Sequence, residues 1–134
     1  MAIELIWWDG GKVVEYLCQG DVNGAELLAR NREALADPRF RDLRLQLCDM
    51  ETVTSFEISK KEIEQIVDID LRASTLAPHI TKVAIACEAD IIFGFARMYE
   101  MILDGRVPGW EVGVHRTRGQ ALEWLGIEDR DRRE

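Results

Sequence analysis

The chain has few of the residues on which recognisable chemistry is usually built. Its three cysteines, Cys18, Cys48 and Cys87, form no Cys-x-x-Cys pair. Their odd number and apolar surroundings imply buried, reduced thiols in a cytoplasmic protein and disfavour a disulfide framework or a zinc site. Histidine occurs only at His79, beside Pro78, and at His115, and no Ser or Cys stands at a strand-to-helix elbow near either, so a hydrolase triad has no basis. The glycines never assemble into a phosphate-binding loop. Basic residues are outnumbered, 17 Lys and Arg against 25 Asp and Glu, for a formal net charge of -8. That charge opposes nucleic acid and anionic membrane surfaces, and only the C-terminal Arg-Asp-Arg-Arg-Glu interrupts it. No apolar run approaches the roughly 18 residues of a membrane span, and the opening Met-Ala-Ile-Glu-Leu-Ile-Trp-Trp lacks a basic flank, so the expectation is a soluble, untargeted protein with no transmembrane segment.

What the chain does have is clear punctuation. Ile3 to Trp8 and Lys12 to Gln19 are apolar runs joined by Asp9-Gly10-Gly11, which reads as a β-hairpin because glycine supplies the positive φ of a tight turn. Asn23 with Glu26 three residues on, flanked by Val22 and Leu27, predicts a capped helix running to about Ala36, where Asp37-Pro38 stops it. Leu43, Leu45 and Leu47 alternate with Arg44, Gln46 and Cys48, the period-two pattern of a strand with one apolar face, ending at Asp49. Ser59 and Glu62, between Ile58 and Ile63, form a second capping box and staple. The helix they start carries Ile63, Ile66, Ala73 and Leu76 on one face and closes before Pro78. Thr81 to Cys87 reads as a strand, Asp90 to Asp104 as a helix ended by Gly105, and Trp110 to His115 as a fifth strand. A last helix begins at Thr117 and ends at Gly126.

The order ββαβαβαβα implies an α/β domain over residues 1–126, in which every strand after the hairpin is parallel to its neighbour, followed by a charged, frayed tail over 127–134. The third and fifth strands alternate apolar with polar residues instead of reading as continuous apolar runs, so the helices are expected mainly on one face, with successive strands adjacent in a superhelical order. The opposite face is then partly bare, or covered by a ligand, a partner subunit or the chain ends.

Three stretches carry a family resemblance: Ala36 to Met50, Phe93 to Glu100, and Trp110 to Leu125. In them the chain resembles the SpoIIAA-like proteins, small bacterial relatives of the anti-sigma-factor antagonist (STAS) and CRAL-TRIO domains. The resemblance implies a (βα) superhelix with a mixed sheet of about five strands, the first antiparallel. In STAS antagonists a serine at the start of the second helix is phosphorylated, after a stretch of the form Asp-x-x-x-Val-Thr-x-x-Asp-Ser-Ser-Gly. Asp49, Val53, Thr54 and Ser59 fall on that frame, whereas Glu57, Ile58 and Lys60 depart from it. Ser59 therefore has two readings, a phosphoacceptor or a helix cap.

The remaining candidates are an acidic rim and an apolar helix. Asp21, Asp49, Glu51, Glu88 and Asp90 follow predicted strands, where open α/β sheets place ligands, and could hold Mg²⁺ or could cap helices. Phe93, Phe95, Met98, Tyr99 and Met101 make the third helix apolar on more than one side, which suits a pocket or an interface as well as core packing. With no nucleophile, metal-ligand or cofactor spacing present, the expectation is no enzyme, no metal and no cofactor. The expected role is a binding or regulatory module for a small apolar or lipid-like ligand, in keeping with the CRAL-TRIO resemblance, or for a protein partner, and a homodimer. The alternatives are a module switched by phosphorylation at Ser59 and, third, a metal-dependent enzyme using the acidic rim.

Overall fold

The computed structural model describes residues 2–107 and 109–130. The elements are β1 (Ile3–Trp8), β2 (Val13–Asn23), α1 (Gly24–Ala36), a 3₁₀ turn (Pro38–Asp42), β3 (Leu45–Glu57), α2 (Lys60–Leu76), β4 (Lys82–Ala86), α3 (Asp90–Leu103), β5 (Glu111–His115) and α4 (Arg118–Leu125). The hairpin turns through three successive left-handed residues, Asp9, Gly10 and Gly11, at φ 56°, 66° and 81°. Two glycines and an aspartate accept that region at little cost. β1 pairs antiparallel with β2, and all later pairs are parallel in the order β1-β2-β3-β4-β5. The chain is thus α/β with a mixed five-stranded sheet whose sequential neighbours are adjacent, as the alternation predicts.

The two faces of the sheet separate by strand parity. Val14, Tyr16 and Cys18 of β2 and Val83 and Ile85 of β4 pack under α1, α2 and α3, with Ala34, Ala73, Ile92 and Ala96 supplied by the helices. Val13, Leu47, Ala84 and Ala86 point the other way and pack against Ala121, Leu122 and Leu125 of α4. Helices therefore lie mainly on one face, but the apolar side chains of β3 are not where the alternation suggests. Leu47 faces the single helix α4, while Gln46 and Cys48 face the three-helix side. The small alanines of β4 let α4 approach closely. Lys82 reaches across to donate to the Trp124 carbonyl at 3.0 Å, a cation at a helix C-terminus.

β3 also runs eight residues past the point where its alternation breaks. Asp49 does not end it, because β2 continues to pair with it from Gln19↔Thr52 through Asn23↔Glu57. Between Leu17↔Asp49 and Gln19↔Thr52, and again between Gly20↔Val53 and Asp21↔Ser55, β3 takes one residue more than β2. Each extra residue is a bulge that re-aims the following side chains. Met50, Val53 and Phe56 therefore share one side at three-residue spacing. β4 stops at the level of Asp49, so this extension is a two-stranded arm.

Helix starts follow their caps. The Asn23 side chain accepts from the Glu26 amide at 2.9 Å, but the Glu26 carboxylate bonds Ala2 N at 3.1 Å and does not close the expected box. At α2 the box is complete: Ser59 Oγ accepts from Glu62 N at 3.1 Å, and Glu62 Oε1 accepts from Ser59 N at 2.9 Å. Gly24 opens α1 where a Cβ would collide with the Glu62 carboxylate, so one acidic group serves two positive helix ends. Thr117 caps α4, and Gly126 ends it at φ 77°. Leu76, expected on the buried face of α2, is exposed at the last turn.

The α4 face is fixed by a buried charge network. Glu15 is 0% exposed and accepts from Arg118 at 2.5 and 3.1 Å and from Arg130 Nε at 3.0 Å. Arg118 also donates to Asp49 at 2.9 Å and to Asp129 at 3.0 Å, while its backbone amide donates to Glu51 at 3.2 Å. Burial works against the Arg118 charge, but hydrogen bonds to Glu15, Asp129 and Asp49 more than offset it and hold the guanidinium's pKa above its ordinary value. The network reaches into the first residues of the stretch expected as a charged tail. Ile127 packs on the α4 cluster, and Asp129 and Arg130 are tied to the domain; residues 131–134 lie outside the described residues.

Two stability predictions follow from these contacts. Ser59→Ala should cost about 1 kcal/mol and Ser59→Asp close to nothing, because Asp also caps; urea unfolding of the three proteins checks this, and an unchanged midpoint for Ser59→Ala means the box contributes nothing. Arg118→Met should cost roughly 3 kcal/mol by leaving the buried Glu15 carboxylate with Arg130 as its one remaining cationic partner, and adding Glu15→Gln should recover part of it. A loss below about 1 kcal/mol for Arg118→Met would show the network to be dispensable.

Candidate functional site

On the three-helix side the core is not filled. A cavity of about 90 Å³ lies between the sheet and α1, α2 and α3. Its floor is Tyr16, Gln46, Cys48, Val83 and Ile85, and its walls include Leu27 and Asn31 of α1, Ile63, Ile66 and Asp70 of α2, and Ile92, Phe95, Ala96 and Tyr99 of α3. Phe56 and Ile58, from the arm and the turn after it, stand at the outer end. Phe56 and Phe95 meet edge to face at 5.7 Å and border both the cavity and a shallow outer hollow beside Asn23 and Ser59.

Within this apolar lining three polar side chains are almost fully buried: Asp70 at 5% exposure, Tyr16 at 5% and Gln46 at 6%. Asp70 accepts from the Tyr99 hydroxyl at 2.5 Å, and Tyr16 donates to Gln46 Oε1 over a long 3.5 Å. Among the described residues no second partner reaches Asp70, and no cation lines the cavity. Burial pushes the Asp70 carboxyl from 3.8 up to about 7, with the Tyr99 hydrogen bond pulling partly against it. Burial, and then the Asp70 charge, push both the Tyr16 and Tyr99 phenols well above their ordinary range. Contact with Cys18, followed by burial, does the same to the Cys48 thiol, and burial pushes Cys87 up to about 11. Those thiols stay protonated at neutral pH and make poor nucleophiles.

The five residues of α3 singled out in the sequence divide into three groups. Phe95 and Tyr99 line the cavity. Phe93 packs on the core toward β5, with the Arg116 guanidinium 3.8 Å from its ring centre. Met98 and Met101 point outward, Met101 with 72% exposure. Ser59 is exposed in its capping box, so a phosphoryl group on it would stand beside the Glu62 carboxylate. The acidic rim does not converge. Asp49 and Glu51 bind Arg118, Asp90 pairs with Arg116 at 2.8 Å, and Asp21 accepts from Ser55 at 2.7 Å. Among the described residues no group of three metal-ligating side chains forms. His79 is exposed. His115 stacks near Trp124 at 5.3 Å, with burial lowering its pKa.

Asp70, Tyr16 and Gln46 were not singled out in the sequence. The signal for Asp70 was present, since it falls at helical spacing between Ile66 and Ala73 on the buried stripe of α2, where a lone acid is out of place. By alternation Gln46 falls on the outer side of its strand, which only the position of α4 reverses.

The order of elements and the one-sided helices define a small α/β superhelical domain. More particularly, the chain has a SpoIIAA-like fold. It superimposes on the crystal structure of an uncharacterized DUF3478-family protein with a SpoIIAA-like fold from Shewanella loihica PV-4, with a TM-score of 0.54 and 16% identity over 92% of each chain. No protein-family model and no curated protein sequence matches the chain. Among the described residues no helix is long and apolar enough to cross a membrane.

The raised Asp70 pKa sets a direction for stability. Between about pH 4 and pH 7 the native state holds a proton that the unfolded chain has released, so native stability falls as pH rises through that window and is lowest above it. Asp70→Asn removes this pH dependence. Thermal unfolding should show the variant gaining more over the parent at pH 8 than at pH 5, and an equal or smaller gain at pH 8 contradicts a buried, desolvated carboxylate.

Proposed function

We propose that this domain is a non-enzymatic binding or regulatory module that takes a small amphipathic molecule into the cavity under α1, α2 and α3. The supporting observation is the apolar cavity with a buried, singly bonded carboxyl in its wall. A core maintained only for stability gains nothing from a void or from an under-bonded acid, since each costs free energy. A ligand offsets both. An enzymatic reading has less behind it, because the cavity holds no activated nucleophile and its one carboxyl has no basic partner to work with. A cavity of about 150 Å³ takes benzene, so this one suits about four or five heavy atoms.

Titration of the ¹⁵N-labelled protein with 1-butanol, followed by NMR, tests the reading. Shifts are expected at Tyr16, Gln46, Ile66 and Tyr99, saturating in the micromolar to millimolar range. Ala96→Leu, which fills the cavity from α3, should abolish them while holding or raising the melting temperature. An absence of shifts with 1-butanol and with its amine and carboxylate analogues alike, or the same shifts in Ala96→Leu, overturns the proposal.

A further inference from the structure

Resting on the ligand-binding reading of the same cavity, we infer that the ligand is a small organic amine bound as its cation, with the ammonium on Asp70 and the hydrocarbon among Ile66, Val83, Ile85 and Ile92. The polar groups of the cavity select for positive charge. Asp70 has one oxygen engaged by Tyr99 and no hydrogen-bond partner among the described residues on the other, while the Gln46 carbonyl and the Tyr16 hydroxyl oxygen are further acceptors, the link between them being long at 3.5 Å. An ammonium brings three donors to such a set. A carboxylate or phosphate head would meet Asp70 with no Lys, Arg or His among the lining residues to balance it. A neutral alcohol satisfies a hydrogen bond but leaves the buried charge uncompensated, whereas an ion pair in a low-dielectric site makes the stronger, charge-assisted bond. Tyr16, Phe56, Phe95 and Tyr99 add aromatic faces, the usual company of a bound organic cation.

This assignment implies a pH dependence with a definite sign. The titratable groups facing Asp70 are Tyr99 from α3, Tyr16 from β2 and Cys48 from β3; α1 offers Leu27 and Asn31, which do not titrate. The phenols and the thiol have raised pKa values and remain neutral from pH 6 to pH 8, so Asp70 alone changes charge in that range. An amine that requires the carboxylate therefore binds more tightly as pH rises, by about tenfold between pH 6 and pH 8 for a group titrating near 7.

The test compares n-butylamine, 1-butanol and butyrate by NMR titration of the full chain at pH 6 and pH 8, with Asp70→Asn alongside. At pH 8 n-butylamine should bind at least tenfold more tightly than 1-butanol, and butyrate should not bind. The amine's advantage should shrink about tenfold at pH 6 and disappear in Asp70→Asn, which keeps its affinity for 1-butanol. If 1-butanol binds and n-butylamine is no tighter at pH 8, the amine assignment is overturned while the cavity remains a binding site. If n-butylamine binds Asp70→Asn as tightly as the parent, its ammonium does not use Asp70 and the assignment is likewise overturned. Failure of all three compounds to bind the parent removes the cavity reading as well. Should Asp70→Asn not fold, the pH 6 to pH 8 comparison in the parent decides alone: an amine affinity that does not rise with pH is against the inference.

Discussion

The parallel pairing of β2 with β3 is the constraint on which the other features depend. Both strands are long, and they run together from Val13↔Leu45 to Asn23↔Glu57, well past the end of β4. Because side chains alternate, this one ribbon serves two unlike environments. Glu15 and Asp49 point to α4 and Arg118, while Tyr16, Gln46 and Cys48 point to the cavity. A one-residue slip would place Glu15 under α1–α3 and Tyr16 in the charge network. The two bulges in β3 then carry Met50, Val53 and Phe56 along the cavity side, bringing Phe56 to its outer end.

The two faces handle buried acids in opposite ways. On the α4 side Glu15, with no exposure, accepts three hydrogen bonds from two arginines, and Asp49 shares one of those arginines. Each of these carboxylates faces a guanidinium, and donors take up the Glu15 lone pairs, which is the condition under which a buried ion pair holds its place. On the cavity side Asp70 is buried nearly as deeply and receives one phenol. The same chain thus shows a buried acid with full compensation and, across the sheet, one without it. Under-satisfied buried polar groups are uncommon enough in native proteins to require a reason. In Glu15 the reason for burial is structural, fastening α4 and the residues after it. In Asp70 no structural return is visible, and the adjoining void points the same way.

Much of the fold was legible because its punctuation is local. The Asp9-Gly10-Gly11 turn, the Asn23, Ser59 and Thr117 caps and Gly126 each depend on residues within a few positions of one another, and the structure places them where the sequence does. Strand order followed from alternation and sequential crossovers. The far half of β3 was not legible, because bulges convert a spacing of two into three and break the only signal a strand offers. Which face of β3 is the busier one depends on α4, a helix of eight residues arriving seventy residues later in the chain. The site was legible in part for the same reason. Helical spacing marks α3 as too apolar, but only packing shows that Phe95 and Tyr99 turn inward while Met98 and Met101 turn out. Arg118 partners Glu15 across 103 positions, a contact that no local pattern announces.

Cavity size also limits the kind of ligand the proposed site could take. For a ligand of about five heavy atoms the ceiling near 1.5 kcal/mol per atom gives about 7 kcal/mol, a Kd no tighter than the micromolar range. A much larger molecule would have to extend past Phe56 and Phe95 into the outer hollow, where Glu57 and Glu62 are the charged neighbours. No Lys, Arg or His side chain is among the residues lining the cavity or the hollow, where the carboxylates of Glu57 and Glu62 stand at the outer end and Asp70 at the inner one. Long-chain carboxylates and phospholipids, the ligands a lipid-exchange domain would suggest, would need far more room than about 90 Å³ and would meet Asp70 with no Lys, Arg or His among the cavity's lining residues.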